Sequence, residues 1–155
     1  MIDMHAHCFP RIDRAEAFAV DAARAPWLEI EPGGERGHIM LGDRRFRPVT
    51  ASLWDPAVRV AELAAQGVAA QVVCATPGMF GYAWPAATAA DWAARMNRHV
   101  LAYCRSAPGP PRRLHALAQV PLQDTALACR EASRAMADGC IGVQIGNHVG
   151  ERDLD

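Results

Sequence analysis

Apolar residues recur along this chain with two different periods, and the alternation between them predicts most of the architecture. Met1–His5 reads as a short strand at the very start, with Ile2 and Met4 on one face. Val68–Ala75 is apolar at every position but Gln71, the pattern of a strand buried on both faces. Leu114–Leu122 predicts a third buried strand and Ile141–Ile145 a fourth. Helical stretches separate them. Asp55-Pro56 supplies an N-cap followed by proline at the first helical position; Val58, Ala61, Leu63 and Ala64 form an apolar stripe, and Gly67 closes the helix. A loop over Thr76–Pro85 leads into a long helix over Ala86–Arg105, which the Pro-Gly-Pro-Pro run at 108–111 ends. Asp124–Asp138 reads as a capped helix stopped by Gly139. Residues 27–50 break the pattern: short runs punctuated by Pro32-Gly33-Gly34 and Gly42-Asp43 predict a small β insert, a meander placed after the first strand.

The resulting order, β, insert, α, β, α, β, α, β, implies an α/β fold of parallel strands with right-handed crossovers. Two architectures fit it. One is a four-stranded doubly wound sheet; the other is the first half of a (β/α)8 TIM-type barrel, a fold of about 250 residues. After the fourth strand the sequence runs Gly150-Glu-Arg-Asp-Leu-Asp155 without a closing helix. That ending favours the half barrel. Residues 1–155 are then expected to be the N-terminal part of a single barrel domain, with the C-terminal half outside this sequence.

Composition narrows the function classes. Sixteen basic residues against seventeen acidic ones give a formal charge of −1, so the basic face of a nucleic-acid binder is not expected. Every basic residue is Arg, which excludes a lysine Schiff base within these residues. No apolar run approaches the roughly 18 residues of a membrane span, and the start lacks a signal-like pattern, so a cytoplasmic location is expected. Cysteines at 8, 74, 104, 129 and 140 are odd in number and include no CxxC pair. They read as reduced, apolar-packing thiols rather than as a zinc site.

His5-Ala6-His7 carries the sharpest chemical signal. Side chains two apart on a strand leave it on the same side, so both imidazoles can aim at one point. At the C-terminal end of a parallel strand, that point lies where α/β folds build their sites. Neutral imidazoles in such a place are ligands for Zn²⁺ and similar ions.

The Ile2-Asp3-Met4-His5-Ala6-His7 opening resembles the amidohydrolase superfamily, and within it the decarboxylase family that acts on 2-amino-3-carboxymuconate 6-semialdehyde. The resemblance continues through Ala25–Leu28, Phe46-Arg47-Pro48-Val49, Leu53-Trp54-Asp55-Pro56 and Gln71–Pro77. It also takes in Met79–Tyr82, Leu117–Asp124 and Gly142–His148. It implies a zinc-dependent barrel that removes a carboxylate without oxidation or an organic cofactor. His5 and His7 would be metal ligands, and Arg47 would bind a carboxylate of a small-molecule substrate. A guanidinium fork suits that task because it pairs bidentately and stays charged at any working pH. The resemblance also implies a further zinc-binding His, an acid/base His and a metal-binding Asp in the second half of the barrel. No catalytic residue is therefore expected within 1–155. A neighbouring subunit's arginine completes the carboxylate site in that family, which implies a homodimer of the full-length protein. Phe46 and Trp84 are candidate pocket walls. His148 lies in a matched loop with no metal role, His38 and His115 read as structural, and His99 as solvated on its helix. Two other readings stay open: a lactone or amide hydrolase of the same superfamily, and a half barrel that needs a partner chain.

Overall fold

The computed structural model describes residues 1–153; Leu154 and Asp155, the end of the segment expected to stop short of a closing helix, lie outside the described residues. The chain opens with β1 (Ile2–Cys8), α1 (Arg14–Asp21), β2 (Pro26–Ile30), β3 (Arg36–Leu41) and β4 (Arg44–Thr50). Then follow α2 (Pro56–Ala65), β5 (Ala70–Ala75), α3 (Ala86–Arg105), β6 (Leu114–Ala118), α4 (Thr125–Asp138) and β7 (Gly142–Val143). A short antiparallel hairpin, β8 (His148–Val149) with β9 (Arg152–Asp153), ends the described chain. Strands β1, β5, β6 and β7 form one sheet in that order, every neighbouring pair parallel. The expected insert is a separate antiparallel sheet, β2-β3-β4. No helix among the described residues is long and apolar enough to cross a membrane.

The caps predicted from sequence operate. Asp55 accepts from the backbone N–H groups of Ala57 and Val58 at the start of α2, and Asp124 accepts from Leu127 at the start of α4. Gly139 ends α4 at φ 110°, a conformation that only glycine adopts without strain. Gly81 is held on both counts: its φ is +68°, and an added Cβ would come within 2.6 Å of the Trp84 ring.

Four differences from the sequence pattern stand out. The short helix α1 carries its own signal, Asp13 accepting from the N–H of Glu16, but it buries only Ala17 and its apolar stripe is thin. The buried face of α2 is Arg59 and Leu63 rather than the expected stripe; Val58, Ala61 and Ala64 are exposed. The Arg59 guanidinium turns inward because three acceptors meet it there, as described below. Strand β6 ends at Ala118 instead of Leu122. Asn97 of α3 takes both backbone groups of Gln119, accepting from its N–H at 2.8 Å and donating to its carbonyl at 2.8 Å, and Pro121 has no N–H to offer. Strand β7 is shorter than Ile141–Ile145, although Ile141 and Gln144 still donate to the carbonyls of Ala116 and Ala118.

The core lies between the parallel sheet and its helices. Val73, Ala75, Leu114, Ala116 and Ala118 of the strands meet Trp92, Met96, Val100 and Leu101 of α3, all buried. At the open edges of the sheet Ile2 and Met4 of β1, paired on one face in the sequence pattern, are both exposed, as is Val143 of β7. The insert is tied to this body by Leu28 N–H donating to the Ile12 carbonyl, and it is closed on itself by Trp27 Nε1 donating to Gly42.

Candidate functional site

The site is assembled at the C-terminal end of β1, where the strand is irregular. Asp3 pairs with Gln71 of β5, but Ala6 pairs with Val73, so Met4 and His5 together oppose one residue. Such a bulge re-aims the side chains that follow it. His5 in the bulge and His7 just after it point the same way: their rings meet edge to face with centroids 4.8 Å apart, and their Nε2 atoms lie 3.1 Å apart.

That convergence fits a shared metal ion. Two imidazole nitrogens each ~2.0–2.1 Å from a tetrahedral ion lie about 3.3 Å from each other. His7 is also oriented from behind. Its Nδ1 lies 3.2 Å from the Ala75 carbonyl, so Nδ1 carries the proton of the neutral ring and Nε2 presents its lone pair forward. Burial is the leading cause that holds the His7 pKa below the ordinary histidine value, opposed by the Ala75 bond. The ring is thus kept in its neutral, ligating form. Among the described residues no third His, Cys, Asp or Glu joins the pair. Cys74 comes near, with Sγ 3.2 Å from His7 Nδ1, but it sits behind the ring and donates to the Ala6 carbonyl. Burial pushes its pKa up to about 11, so it stays a thiol at neutral pH.

Arg47 approaches the same place from the insert. It stands on β4 opposite Ile39 of β3, just before the point where the β3–β4 register slips. Asp43, four residues before it in the sequence, is engaged by Arg14 at 2.8 Å, and Glu29 by Arg45 at 3.2 Å. No ion pair of Arg47 occurs among the described residues. His7 and Arg47 line one cavity of about 560 Å³, together with Val49, Ser52, Thr76 and Pro77. A cation and a ligand imidazole thus share one partly apolar space. The Cys8 carbonyl fixes its floor, accepting from both the N–H and the hydroxyl of Thr76.

The remaining candidates separate. Phe46 is exposed and lines a smaller recess of about 360 Å³ that shares Ile39, Arg47, Thr76 and Pro77 with the first cavity. Trp84 is buried, donates from Nε1 to Asp21 at 3.0 Å and packs against Trp92; it lines neither of these spaces. His148 is exposed on the β8–β9 hairpin beside the Asn147 side chain. His38 lies 3.5 Å from Glu31 inside the insert, and His115 stands near the start of β6. His99 is not free in solvent; its Nε2 lies 2.9 Å from the Glu16 carboxylate of α1.

Sequence reasoning missed the groups beneath the histidines. Arg59 is buried, and its guanidinium donates to the carbonyls of Ser52 at 2.8 Å and His7 at 2.6 Å and to Gln71 Oε1 at 2.9 Å. The available signal was an arginine four residues before Leu63 on one helical face, and a face of α2 that is apolar except there.

With this geometry in place, the comparisons with known proteins are informative. The chain is 29% identical over 158 residues to a 2-amino-3-carboxymuconate-6-semialdehyde decarboxylase of Dictyostelium discoideum. The match takes in 99% of this chain and 42% of that protein, so the chain spans less than half of its relative's length. Among solved structures, the Metarhizium anisopliae IDCase in apo form superposes with a TM-score of 0.71 at 18% identity, covering 99% of this chain and 44% of that one. A 2,6-dihydroxybenzoate decarboxylase from Rhizobium gives a TM-score of 0.57 at 26% identity, over 66% of this chain and 32% of its own. No family model matches the chain. The resemblance read from the sequence is supported along nearly the whole chain, and the α/β fold is that of the first half of a TIM-type barrel.

Proposed function

We propose that this chain is the N-terminal part of one metal-dependent barrel domain that decarboxylates 2-amino-3-carboxymuconate 6-semialdehyde, a reaction of aromatic and tryptophan–kynurenine catabolism. The observation that carries the proposal is the common cavity of His7 and Arg47, with the His5 nitrogen 3.1 Å from that of His7. In this reading His5 and His7 hold Zn²⁺, the protein works in the cytoplasm, and the full-length protein is a homodimer. A divalent ion held there supplies Lewis acidity toward water and substrate oxygens near neutral pH.

The residues of this chain then perform binding and orientation. Arg47 fixes a carboxylate by a bidentate, charge-assisted pair. Of the two carboxylates named in the substrate, Arg47 suits the one that is retained. A guanidinium on the departing group would stabilise the charged ground state more than a transition state that is becoming neutral CO₂. Held by the other end, the bond to be broken is oriented against the conjugated system that receives its electron pair. Ile39, Val49 and Leu53 wall the cavity with hydrocarbon beside Arg47, which is itself exposed.

Replacing Arg47 by Met tests the assignment. One charge-assisted pair contributes about 1.5–3 kcal/mol net. Arg47→Met should therefore weaken carboxylate binding about 10–100-fold, read by titration of the zinc-loaded protein, while zinc affinity stays unchanged. Arg47→Lys should fall between, because it keeps the charge but loses the fork. The reaction class is tested by supplying the semialdehyde and a lactone panel separately. Release of CO₂ by the full-length protein, lowered in Arg47→Met at limiting substrate in step with the weaker binding, supports the decarboxylase, whereas lactone hydrolysis without CO₂ release assigns a hydrolase.

A further inference from the structure

The bulge in β1 takes His5 out of the regular ladder, while His7 pairs with Cys74 just after it, and the backbone is held on both sides of the bulge. Asp3 Oδ1 accepts from the N–H of His5 at 3.1 Å, and Asp3 Oδ2 accepts from Gln71 Nε2 at 2.7 Å. Gln71 Oε1 in turn accepts from Arg59 Nη1 at 2.9 Å, and Arg59 Nη2 donates to the His7 carbonyl at 2.6 Å. The result is a closed loop of bonds that starts on the His5 backbone and returns on the His7 backbone. A single buried guanidinium anchors it, fixed further by the Ser52 carbonyl and by the Tyr103 ring, whose centroid is 5.9 Å away.

We propose that Arg59, acting through Gln71 and Asp3, is the positioning residue of the His5–His7 pair. It holds the bulged backbone in the one arrangement that aims both Nε2 atoms at a common point. The guanidinium suits this work because its rigid fork reaches three acceptors on three separate segments at once. An apolar residue of similar length would leave the His7 carbonyl and the Gln71 amide oxygen without their Arg59 donor, with the Ser52 carbonyl kept only by the Tyr103 hydroxyl, and β1 would relax toward regular pairing. Since side chains alternate along a strand, a slip of one residue in register would send the imidazoles to the opposite face. The assignment rests on the reading of His5 and His7 as metal ligands; the ring geometry in the metal-free chain is a separate observable.

The test uses the whole chain with Arg59→Met, Arg59→Lys and Gln71→Met, and Leu63→Ala as a control. Leu63 lies one turn away on the same buried face of α2, so its truncation destabilises the helix without touching the bond loop. In metal-free protein, ring-to-ring NMR contacts between His5 and His7 and the Nδ1-protonated form of His7 should be present in the wild type and in Leu63→Ala. They should be lost in Arg59→Met and Gln71→Met and partly restored in Arg59→Lys. Zn²⁺ affinity, measured below each variant's unfolding temperature, should fall by about 10–100-fold in the first two, as for other groups that orient metal ligands. The visible spectrum of bound Co²⁺ should change with it. Wild-type ring contacts in both Arg59→Met and Gln71→Met would overturn the proposal, as would equal losses in Leu63→Ala. Converged rings in a wild type that binds no Zn²⁺ would remove the metal reading and leave the positioning role of Arg59 supported.

Discussion

Replacing His5 and His7 together by Ala is expected to abolish specific Zn²⁺ binding by this chain, a loss well beyond the ~10–100-fold that changes behind a ligand produce. The two Nε2 atoms converge at 3.1 Å, and no other His, Cys, Asp or Glu among the described residues completes a cluster with them. Either single substitution should therefore lose most of the affinity, because one imidazole alone offers no chelate. The fold should survive all three changes. His5 is exposed and His7 half-buried on the open side of the sheet, whereas the core packs on the other side against α3. Zinc titration against a competing chelator, with circular dichroism of each variant, checks both statements. Undiminished binding in the double variant would place the metal elsewhere.

The largest effect on stability is expected at Trp92. Its side chain is fully buried, packs edge to face on Trp84 with centroids 5.4 Å apart, and donates from Nε1 to the Met79 carbonyl at 2.7 Å. Trp92→Ala opens a large cavity, at about 3–5 kcal/mol. It also strips a buried carbonyl of its donor, at about 1–3 kcal/mol more. Against a total stability of about 5–15 kcal/mol for a native protein, that unfolds a large fraction of the molecules or brings them close to it. Trp92→Phe keeps most of the volume and loses only the indole donor, so it should sit near the lower of these figures. Urea unfolding followed by near-ultraviolet circular dichroism measures both. The effect reaches the site as well: Met79 ends the turn that begins at Pro77, and Pro77 lines the cavity with His7 and Arg47. Trp92→Phe should accordingly weaken carboxylate binding slightly while leaving zinc affinity intact.

Much of this architecture was legible in the sequence because it depends on local periodicity and end signals. The four parallel strands, the three longer helices and the insert all announce themselves by apolar runs, caps and turn residues. The His5–His7 pair was legible for the same reason, since a period of two at a strand end is a local property. What stayed hidden depends on contacts between distant residues. The bulge at Met4–His5 arises from how β1 registers on β5, 68 residues away. Arg59 reads as a surface residue of an amphipathic helix until the carbonyls of Ser52 and His7 are seen beneath it. Strand β6 reads as running through to Leu122 until Asn97 is seen to take the backbone of Gln119. Arg47 was reached through family resemblance alone. On an exposed strand with Asp43 and Glu35 nearby, nothing in the local pattern distinguishes it from a solvated arginine, and only the engagement of Asp43 by Arg14 and the shared cavity set it apart.

In the proposed function a metal ion on His5 and His7 and a carboxylate on Arg47 occupy the same space. The most direct measurement loads the protein with paramagnetic Co²⁺ and follows the ring protons of added 2,6-dihydroxybenzoate by NMR. Strong shifts and broadening of those protons are expected with the wild type. They should vanish in Arg47→Met while the Co²⁺ spectrum persists, and both signals should vanish in the His5/His7 double alanine variant. Ligand protons that show no response to bound Co²⁺, or that respond equally in Arg47→Met, would contradict this shared placement.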